Sequence, residues 1–195
     1  MNLYIRLIIA LLRGKFSAMR SGRQPIDNVR SNTFRVWPHD LDAFGHMNNG
    51  RYLQIMDVAR AQWMLSTGVL RAMRQNKWNA ILGGNTTRYR RALKLWQVYR
   101  VRTQLLCWDE HWFFFEHKFV DGNDRCIAVG LSRAALRSGD SWVVARDAVA
   151  STEPGASSAP FPAHVQRWQQ LEEEMQRHTQ VTRQSSVELL NGVCS

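Results

Sequence analysis

The chain has 195 residues, a net charge of +10 and three cysteines. This length predicts one domain, or one domain with an extension, and a hydrophobic fraction of 45% excludes an intrinsically disordered chain. No apolar run approaches the roughly 20 residues that span a bilayer as a helix. The cysteines lie too far apart for a CxxC zinc site or a disulfide framework, which favours a reducing, cytoplasmic compartment.

The excess positive charge lies in one central stretch. Residues 58–108 contain no Asp or Glu and hold ten of the 26 basic residues, whereas the rest of the chain is neutral. Such a stretch attracts a phosphorylated ligand, an anionic lipid surface or nucleic acid, and the alternative is a solvated basic surface without a ligand. A nucleic-acid partner is not expected, because Tyr89, Trp96 and Tyr99 form only a thin version of the pattern in which exposed aromatic residues alternate with basic ones.

Residues 1–30 are expected to form an amphipathic segment and a linker. The apolar residues of the run 3–12 follow helical spacing. The run is too short to span a membrane, and the positions of Arg6 and Arg13 do not fit a secretion signal. It therefore predicts a short helix that either docks on the domain or makes peripheral contact with a membrane, followed by a polar linker at 22–32.

Residues 31–150 are expected to form an α+β domain. A helix that is apolar on most sides is predicted from about Gly50 to Thr67, with Gly68 as its end. Strands are predicted at 33–37, within 79–93, and at 96–108, 111–120, 125–136 and 141–145. One buried helix followed by an antiparallel meander predicts a sheet wrapped around that helix. Residues 151–195 are expected to be a linker at 151–160, a polar helix at 165–178 and a loose tail.

Residues with chemical potential concentrate in the loop Asp40-Leu-Asp-Ala-Phe-Gly-His-Met-Asn-Asn-Gly-Arg-Tyr52. The loop brings two carboxylates, a histidine and two amides to the start of the predicted helix. The unpaired N–H groups at a helix N-terminus suit an oxygen on which negative charge develops, and a carboxylate beside them activates water or attacks directly. The residues alone leave open the alternative that Asp40 and Asp42 only form turn and capping bonds.

The segment D-L-D-A-F-G-H-M-N-N-G-R-Y-L resembles the D-x-D-x-x-G-H-x-N-N-x-x-Y-L signature of hotdog-fold acyl-CoA thioesterases of the 4-hydroxybenzoyl-CoA thioesterase type. The stretches R-Y-R-R-A-L and R-T-Q-L-L-C-W-D-E-H-W-F-F-F-E-H-K-F are similar to the branch called thioesterase superfamily member 6-like. The resemblance covers residues 33–137. It implies a hotdog fold, in which an antiparallel sheet wraps one long helix, and a homodimer or homotetramer that holds acyl-CoA between subunits.

The resemblance also implies roles for residues of this loop. Asp42 matches the family's catalytic carboxylate, as general base or as nucleophile, and Asn49 stands where the family offers a backbone N–H to the thioester oxygen. Gly45 matches the glycine at which the loop turns close to the substrate, His46 is expected to order the loop, and Tyr52 is expected to bind substrate. Several related bacterial enzymes carry a histidine at the position of Asn49, so that side-chain acid is absent here.

The phosphates of coenzyme A would give the basic stretch a ligand. Alternation along the predicted strand puts Arg88 and Arg90 on one face and Arg91 on the other, and paired arginines bind phosphate bidentately. The alternative is that these arginines only face solvent. No metal site is expected from His111 and His117, and no cofactor is expected besides the coenzyme A that belongs to the substrate.

Two functions therefore remain as predictions. The first is an acyl-CoA thioesterase that hydrolyses a thioester to a free acid and coenzyme A. The second is a non-catalytic protein of the same fold that binds acyl-CoA or an anionic membrane through the basic stretch and the apolar run 3–12. The presence of Asp42 beside Gly45 and the two asparagines favours the enzyme.

Overall fold

The computed structural model describes residues 23–192, so the predicted amphipathic segment at 3–12 lies outside the described residues. The chain divides into two compact units, one ending at Ala159 and the other beginning at Pro160. The elements in chain order are β1 (Arg30–Arg35), a 3-10 turn (Pro38–Asp40), α1 (Asn49–Thr67), α2 (Val69–Asn76), β2 (Asn79–Tyr89), β3 (Val98–Trp108), β4 (Trp112–Val120), β5 (Cys126–Ser138), β6 (Ser141–Trp142), α3 (Ala145–Ala150) and α4 (Ala163–Gly192).

The strands form one antiparallel sheet in the order β1-β3-β4-β5-β2, and β6 pairs with the end of β5. Every second residue of β3 from Tyr99 to Cys107 is buried, because one face of the sheet packs on α1. The pairing of β2 with β5 shifts between Leu82 and Gly84, which places a bulge at Gly83. The Trp112 ring lies over Gly83, where a Cβ atom would approach it to 2.2 Å. The predicted α+β class, with an antiparallel sheet around one helix, is confirmed.

Helix α1 begins and ends at residues whose chemistry fits those positions. The Asn48 side chain accepts a 2.8 Å hydrogen bond from the amide of Gly50, which caps the start of the helix. Gly68 adopts a φ of +84°, the left-handed conformation that ends helices. The first three turns of α1 pack into a closely packed core, the N-terminal core, which contains Val36, Met47, Tyr52, Ile55, Met56, Ala59, Leu93, Tyr99, Val101, Phe119, Ile127 and Ala128.

Two elements of the first unit differ from the prediction. The strand predicted at 141–145 is only two residues long, because the Ala145 amide donates to the Glu110 carbonyl and the chain then enters α3. Helix α2 was not predicted: after Gly68 turns in the left-handed conformation, the chain starts a second helix. In the first case a contact with a distant segment overrides local propensity.

The predicted boundaries also move. Strand β1 begins at Arg30, inside the segment expected to be a polar linker. The predicted linker at 151–160 is tied to the first unit, since the amide of Trp108 donates to the Ser158 hydroxyl at 2.9 Å and the amide of Ile26 to the Glu153 carboxylate at 3.0 Å. Helix α4 continues beyond the predicted end at 178, because no Gly or Pro interrupts the sequence before Gly192. No helix within residues 23–192 is long and apolar enough to cross a membrane.

Candidate active site

Asp42 organises a tight turn just before α1. One oxygen of its carboxylate, Oδ1, accepts hydrogen bonds from the amides of Phe44 at 2.9 Å and His46 at 3.2 Å. The backbone closes the same turn, because the Asp42 amide donates to the His46 carbonyl at 2.8 Å. Gly45 takes a φ of +74°, which explains why a residue without a side chain stands there.

A second turn of the same kind shows what is special about Asp42. Asp121 Oδ1 accepts from the amides of Asn123 and Arg125, and the Asp121 amide donates to the Arg125 carbonyl. In that turn the other carboxylate oxygen is bound by Arg125 Nε at 2.7 Å. Among the described residues, no group is hydrogen-bonded to the second oxygen of Asp42, so that oxygen can face a water molecule or a substrate.

Asp40 holds the loop in place instead of facing outward. Its side chain is 1% exposed, and Oδ2 accepts a 2.9 Å hydrogen bond from the amide of Trp37. Arg51 Nε and His39 Nε2 lie 3.7 and 3.5 Å from the other oxygen. The Asp40 carbonyl also accepts from the amide of Asn48, which ties this buried residue to the cap of α1.

The N-terminus of α1 offers a backbone donor. The Asn48 side chain accepts a hydrogen bond from the amide of Gly50, and the Asn48 carbonyl accepts one from the amide of Arg51. Neither of these bonds uses the N–H of Asn49. A helix N-terminus carries partial positive charge, which favours an anionic oxygen there. The Tyr89 hydroxyl donates to the Asn49 carbonyl at 3.2 Å and so ties β2 to this first turn. This contact of Tyr89 could not be predicted from the sequence, because its partner is a backbone atom 40 positions away.

His46 orders the loop through its backbone. Besides its bonds to Asp42, it forms an isolated antiparallel bridge with Lys94, and the next amide, that of Met47, donates to the Leu93 carbonyl at 2.8 Å. The His46 side chain is exposed. The candidate catalytic loop is therefore fixed against the segment that joins β2 to β3.

Tyr52, which is expected to bind substrate, is a buried residue of α1. It is 2% exposed, and its ring centre lies 5.0 Å from that of Tyr89 and 5.1 Å from that of Phe119. Burial raises the pKa of Tyr52 to about 12. Tyr52 thus packs in the N-terminal core, because the helix turns this position toward the sheet, and its contact with substrate stays a prediction.

The arginines of the predicted phosphate site lie at the end of β2. Strand β2 ends at Tyr89, so Arg88 lies on the strand and Arg90 is the first residue after it, and their placement on one face stays a prediction. The amides of Arg90 and Arg91 both donate to the Ile127 carbonyl, which breaks the regular ladder. Arg91 Nη1 donates to the Cys126 carbonyl at 3.0 Å, whereas Arg88 is an exposed strand residue.

An apolar pocket lies along the second half of α1. Its cavity volume is about 50 Å³, and it is lined by Arg60, Trp63, Met64, Val69, Ala80, Phe113, Phe115, Ala134, Ala135, Leu136, Ala148 and Val149. Trp63 lies about 21 Å beyond Asn49 along the helix axis. The N-terminal core fills the space between α1 and the sheet in the intervening turns. Within the described residues, the N-terminal core therefore lies between this pocket and Asp42.

A buried polar network borders this pocket. His117 is fully buried, with Nδ1 3.0 Å from the Thr103 hydroxyl and Nε2 3.0 Å from the Ser132 hydroxyl. Arg60 Nη1 donates to the same Ser132 hydroxyl at 2.9 Å. Burial, followed by the charge of Arg60, lowers the pKa of His117 to about 3, so the ring is neutral. Within residues 23–192 no three His, Cys, Asp or Glu side chains are grouped closely enough to hold a metal ion.

Comparison with known proteins gives the fold and geometry a context. A family model described as a thioesterase-like superfamily matches residues 36–169. The chain is 39% identical over 127 residues to protein THEM6 of Xenopus laevis, and the alignment covers 63% of this chain and 61% of that protein. The match therefore spans about three fifths of the length of this relative.

Solved structures show the same fold. The YbaW probable thioesterase of Escherichia coli matches with a TM-score of 0.59 and 16% identity, over 64% of this chain and 96% of that one. A protein from Staphylococcus aureus, SAV2348, solved in complex with CoA, matches with a TM-score of 0.59 and 13% identity, over 74% of this chain and 96% of that one. These likenesses confirm the predicted hotdog fold.

Proposed function

The chain belongs to the thioesterase-like superfamily, and on this basis we propose that it hydrolyses acyl-CoA thioesters to a free acid and coenzyme A. The observation that carries the proposal is the Asp42 turn. In this turn Oδ1 of Asp42 is held by two amides, while the other carboxylate oxygen accepts no hydrogen bond from the described residues. The turn lies one loop before the N-terminus of α1. The relative solved with CoA supports coenzyme A as the carrier of the acyl group.

The proposed chemistry uses two groups of the loop. The thioester carbonyl oxygen accepts the N–H of Asn49, where the helix terminus stabilises the negative charge of the tetrahedral intermediate. Asp42 takes a proton from the attacking water, or attacks the carbonyl itself to give a mixed anhydride that water then cleaves. In either route the carbon–sulfur bond breaks, and the coenzyme A thiolate leaves and is protonated.

Thiol release from a panel of acyl-CoA substrates tests this proposal. Asp42→Asn keeps an Oδ1 acceptor for the amides of Phe44 and His46, so the turn is retained while basicity is lost. We expect kcat to fall by on the order of 10² or more, which is the usual contribution of acid–base catalysis. The thermal unfolding midpoint should change little.

Asp121→Asn is the matched control, because Asp121 makes the same pair of turn bonds in a hairpin of the sheet. Its kcat should equal that of the wild type. An Asp42→Asn variant that hydrolyses at the wild-type rate would show that Asp42 is only a turn residue. Binding of acyl-CoA without thiol release by the wild type would support the non-catalytic alternative.

The proposal extends to a second copy of the chain, as the resemblance implies. Strand β2 is an edge of the sheet and is 11 residues long. Ala80, near its start, lines the apolar pocket, while Tyr89, at its end, contacts Asn49. If two copies pair antiparallel about the middle of β2, the start of one strand lies opposite the end of the other. The apolar pocket of each copy then lies beside the α1 N-terminus of the other and is available to the acyl chain.

A further inference from the structure

Two loop tips beside the candidate active site display apolar side chains to solvent. Phe44, at the tip of the Asp42 turn, is 84% exposed, and Leu95 and Trp96 are 40% and 49% exposed. The backbone bridge between His46 and Lys94 makes these two tips neighbours. We name the surface formed by Phe44, Trp96 and the aliphatic Leu95 the aromatic rim.

The backbone is strained where it displays Trp96. This residue takes a φ of +63°, a conformation that is an outlier for a bulky side chain. Two hydrogen bonds close the turn. The Gln97 amide donates to the Lys94 carbonyl, and the Lys94 amide donates to the side-chain oxygen of Gln97. The Trp37 ring packs edge-on against Trp96 at 5.3 Å. Strain that presents an aromatic ring to water points to a role outside the folding of this chain.

The surroundings of the aromatic rim are basic. The segment 88–97 carries Arg88, Arg90, Arg91 and Lys94, all exposed, and no acidic residue. Two carboxylates lie nearby. Asp42 accepts hydrogen bonds from two loop amides, and Asp40 is buried beside the positive charge of Arg51. Exposed aromatic and aliphatic side chains bordered by lysine and arginine form the combination that suits the interface of an anionic bilayer.

We propose that the aromatic rim docks on the surface of an anionic phospholipid bilayer. The rings of Phe44 and Trp96 enter the boundary between headgroups and acyl chains, and the positive charges of Arg91 and Lys94 attract the anionic headgroups. Docking in this way brings the Asp42 turn to the membrane surface. The proposal concerns binding and does not depend on the hydrolytic activity.

Cosedimentation of the full chain with lipid vesicles tests the proposal. We expect binding to phosphatidylcholine vesicles that contain phosphatidylserine, weaker binding to phosphatidylcholine alone, and a decrease as salt increases. The double variant Phe44→Ser, Trp96→Asn should bind vesicles about tenfold or more weakly, because it loses the two aromatic rings that enter the bilayer. Asparagine tolerates positive φ but loses the ring contact with Trp37, so the unfolding midpoints of Trp96→Asn and of the double variant are measured to separate lost docking from lost folding.

Trp142→Ser is the matched control, because Trp142 is 44% exposed but lies on β6, outside the aromatic rim. It should bind vesicles as the wild type does. Wild-type binding by the double variant, or no binding of the wild type to anionic vesicles, would overturn the proposal. A change of oligomeric state in the double variant would instead assign the rim to contact between copies, and a raised KM for acyl-CoA in solution without vesicles would assign it to substrate binding.

Discussion

Asp42 and Asp121 occupy the same kind of turn, and one neighbour separates them. In both, Oδ1 accepts the amides two and four positions later. The residue four positions after Asp121 is Arg125, whose side chain binds the second oxygen, whereas the corresponding residue after Asp42 is His46, which uses its backbone. The two carboxylates therefore differ in the bonding of their second oxygen and in the helix that follows Asp42.

His117 predicts a pH dependence of stability. Its pKa is lowered to about 3 in the folded protein, against an ordinary value of 6.5. Below pH 6.5 the unfolded chain binds a proton at this residue that the folded chain does not bind. The free energy of unfolding should therefore decrease as pH falls from 6.5 toward 3, by up to about 1.4 kcal/mol per pH unit. Urea unfolding between pH 7 and 5, above the range in which most carboxylates titrate, measures this slope.

His117→Gln should reduce that slope, although removing the ring also lowers stability at neutral pH, because Thr103 and Ser132 lose a buried partner. His164→Gln, at an exposed position, is the control and should leave the slope unchanged. If the His117→Gln variant keeps the full wild-type slope, another group is responsible for it.

At the scale of single elements, the end of β2 predicts where coenzyme A phosphates bind. Arg88 is exposed on the strand and Arg90 follows it in the loop next to the α1 N-terminus. We expect Arg88→Ala, Arg90→Ala to raise KM for acyl-CoA by roughly tenfold or more at low salt with little change in kcat, because charge-assisted bonds of about 1.5–3 kcal/mol each are lost. Steady-state kinetics with acyl-CoA and with acyl-pantetheine, which lacks the nucleotide, measure the effect.

Acyl-pantetheine should be insensitive to the change. Arg100→Ala, Arg102→Ala is the paired control, because both of these strand arginines bind Asp124. Its KM for acyl-CoA should stay near the wild-type value. Equal KM values for the wild type and the Arg88, Arg90 variant at low salt would show that these arginines only face solvent and do not bind coenzyme A.

Elements with local determinants could be predicted from the sequence, and elements fixed by distant contacts could not. The cap at Asn48, the end at Gly68 and the alternation of β3 each depend on residues within the element. Helix α3 depends on the bond from Ala145 to Glu110, 35 positions earlier, and the contact of Tyr89 with Asn49 joins two elements. Within the candidate site, the Asp42 loop was visible as a motif, whereas the positive φ of Trp96 leaves no sequence signal.

At the scale of the whole molecule, the basic stretch 58–108 does not form one basic surface. Arg60 is 9% exposed and pairs with Asp57, outside the stretch. Arg100 and Arg102 pair with Asp124, also outside it. The sequence located the excess charge along the chain, but folding neutralises part of it. The exposed cations near the candidate site are those of the segment 88–97.

The edge strand β2 makes a prediction about assembly. If two copies pair through β2, each copy supplies the apolar pocket for the other, and a monomer has an incomplete site. Lysine at two exposed positions near the middle of the strand, Leu82→Lys and Thr86→Lys, places like charges close to the symmetry axis of the pair. We expect light scattering to report a dimer for the wild type and a monomer for this variant, with a large loss of kcat/KM for long acyl chains.

The opposite edge of the sheet provides the control. Ser31 and Thr33 are exposed on β1, and Ser31→Lys, Thr33→Lys adds the same charge there. This variant should remain dimeric and active if β2 is the pairing edge. The unfolding midpoints of both variants show whether lysine at either edge destabilises the fold. A wild-type chain that is monomeric at micromolar concentration and fully active would contradict the pairing. The acyl chain would then have to bind outside the apolar pocket, because the N-terminal core separates that pocket from Asp42 of the same chain.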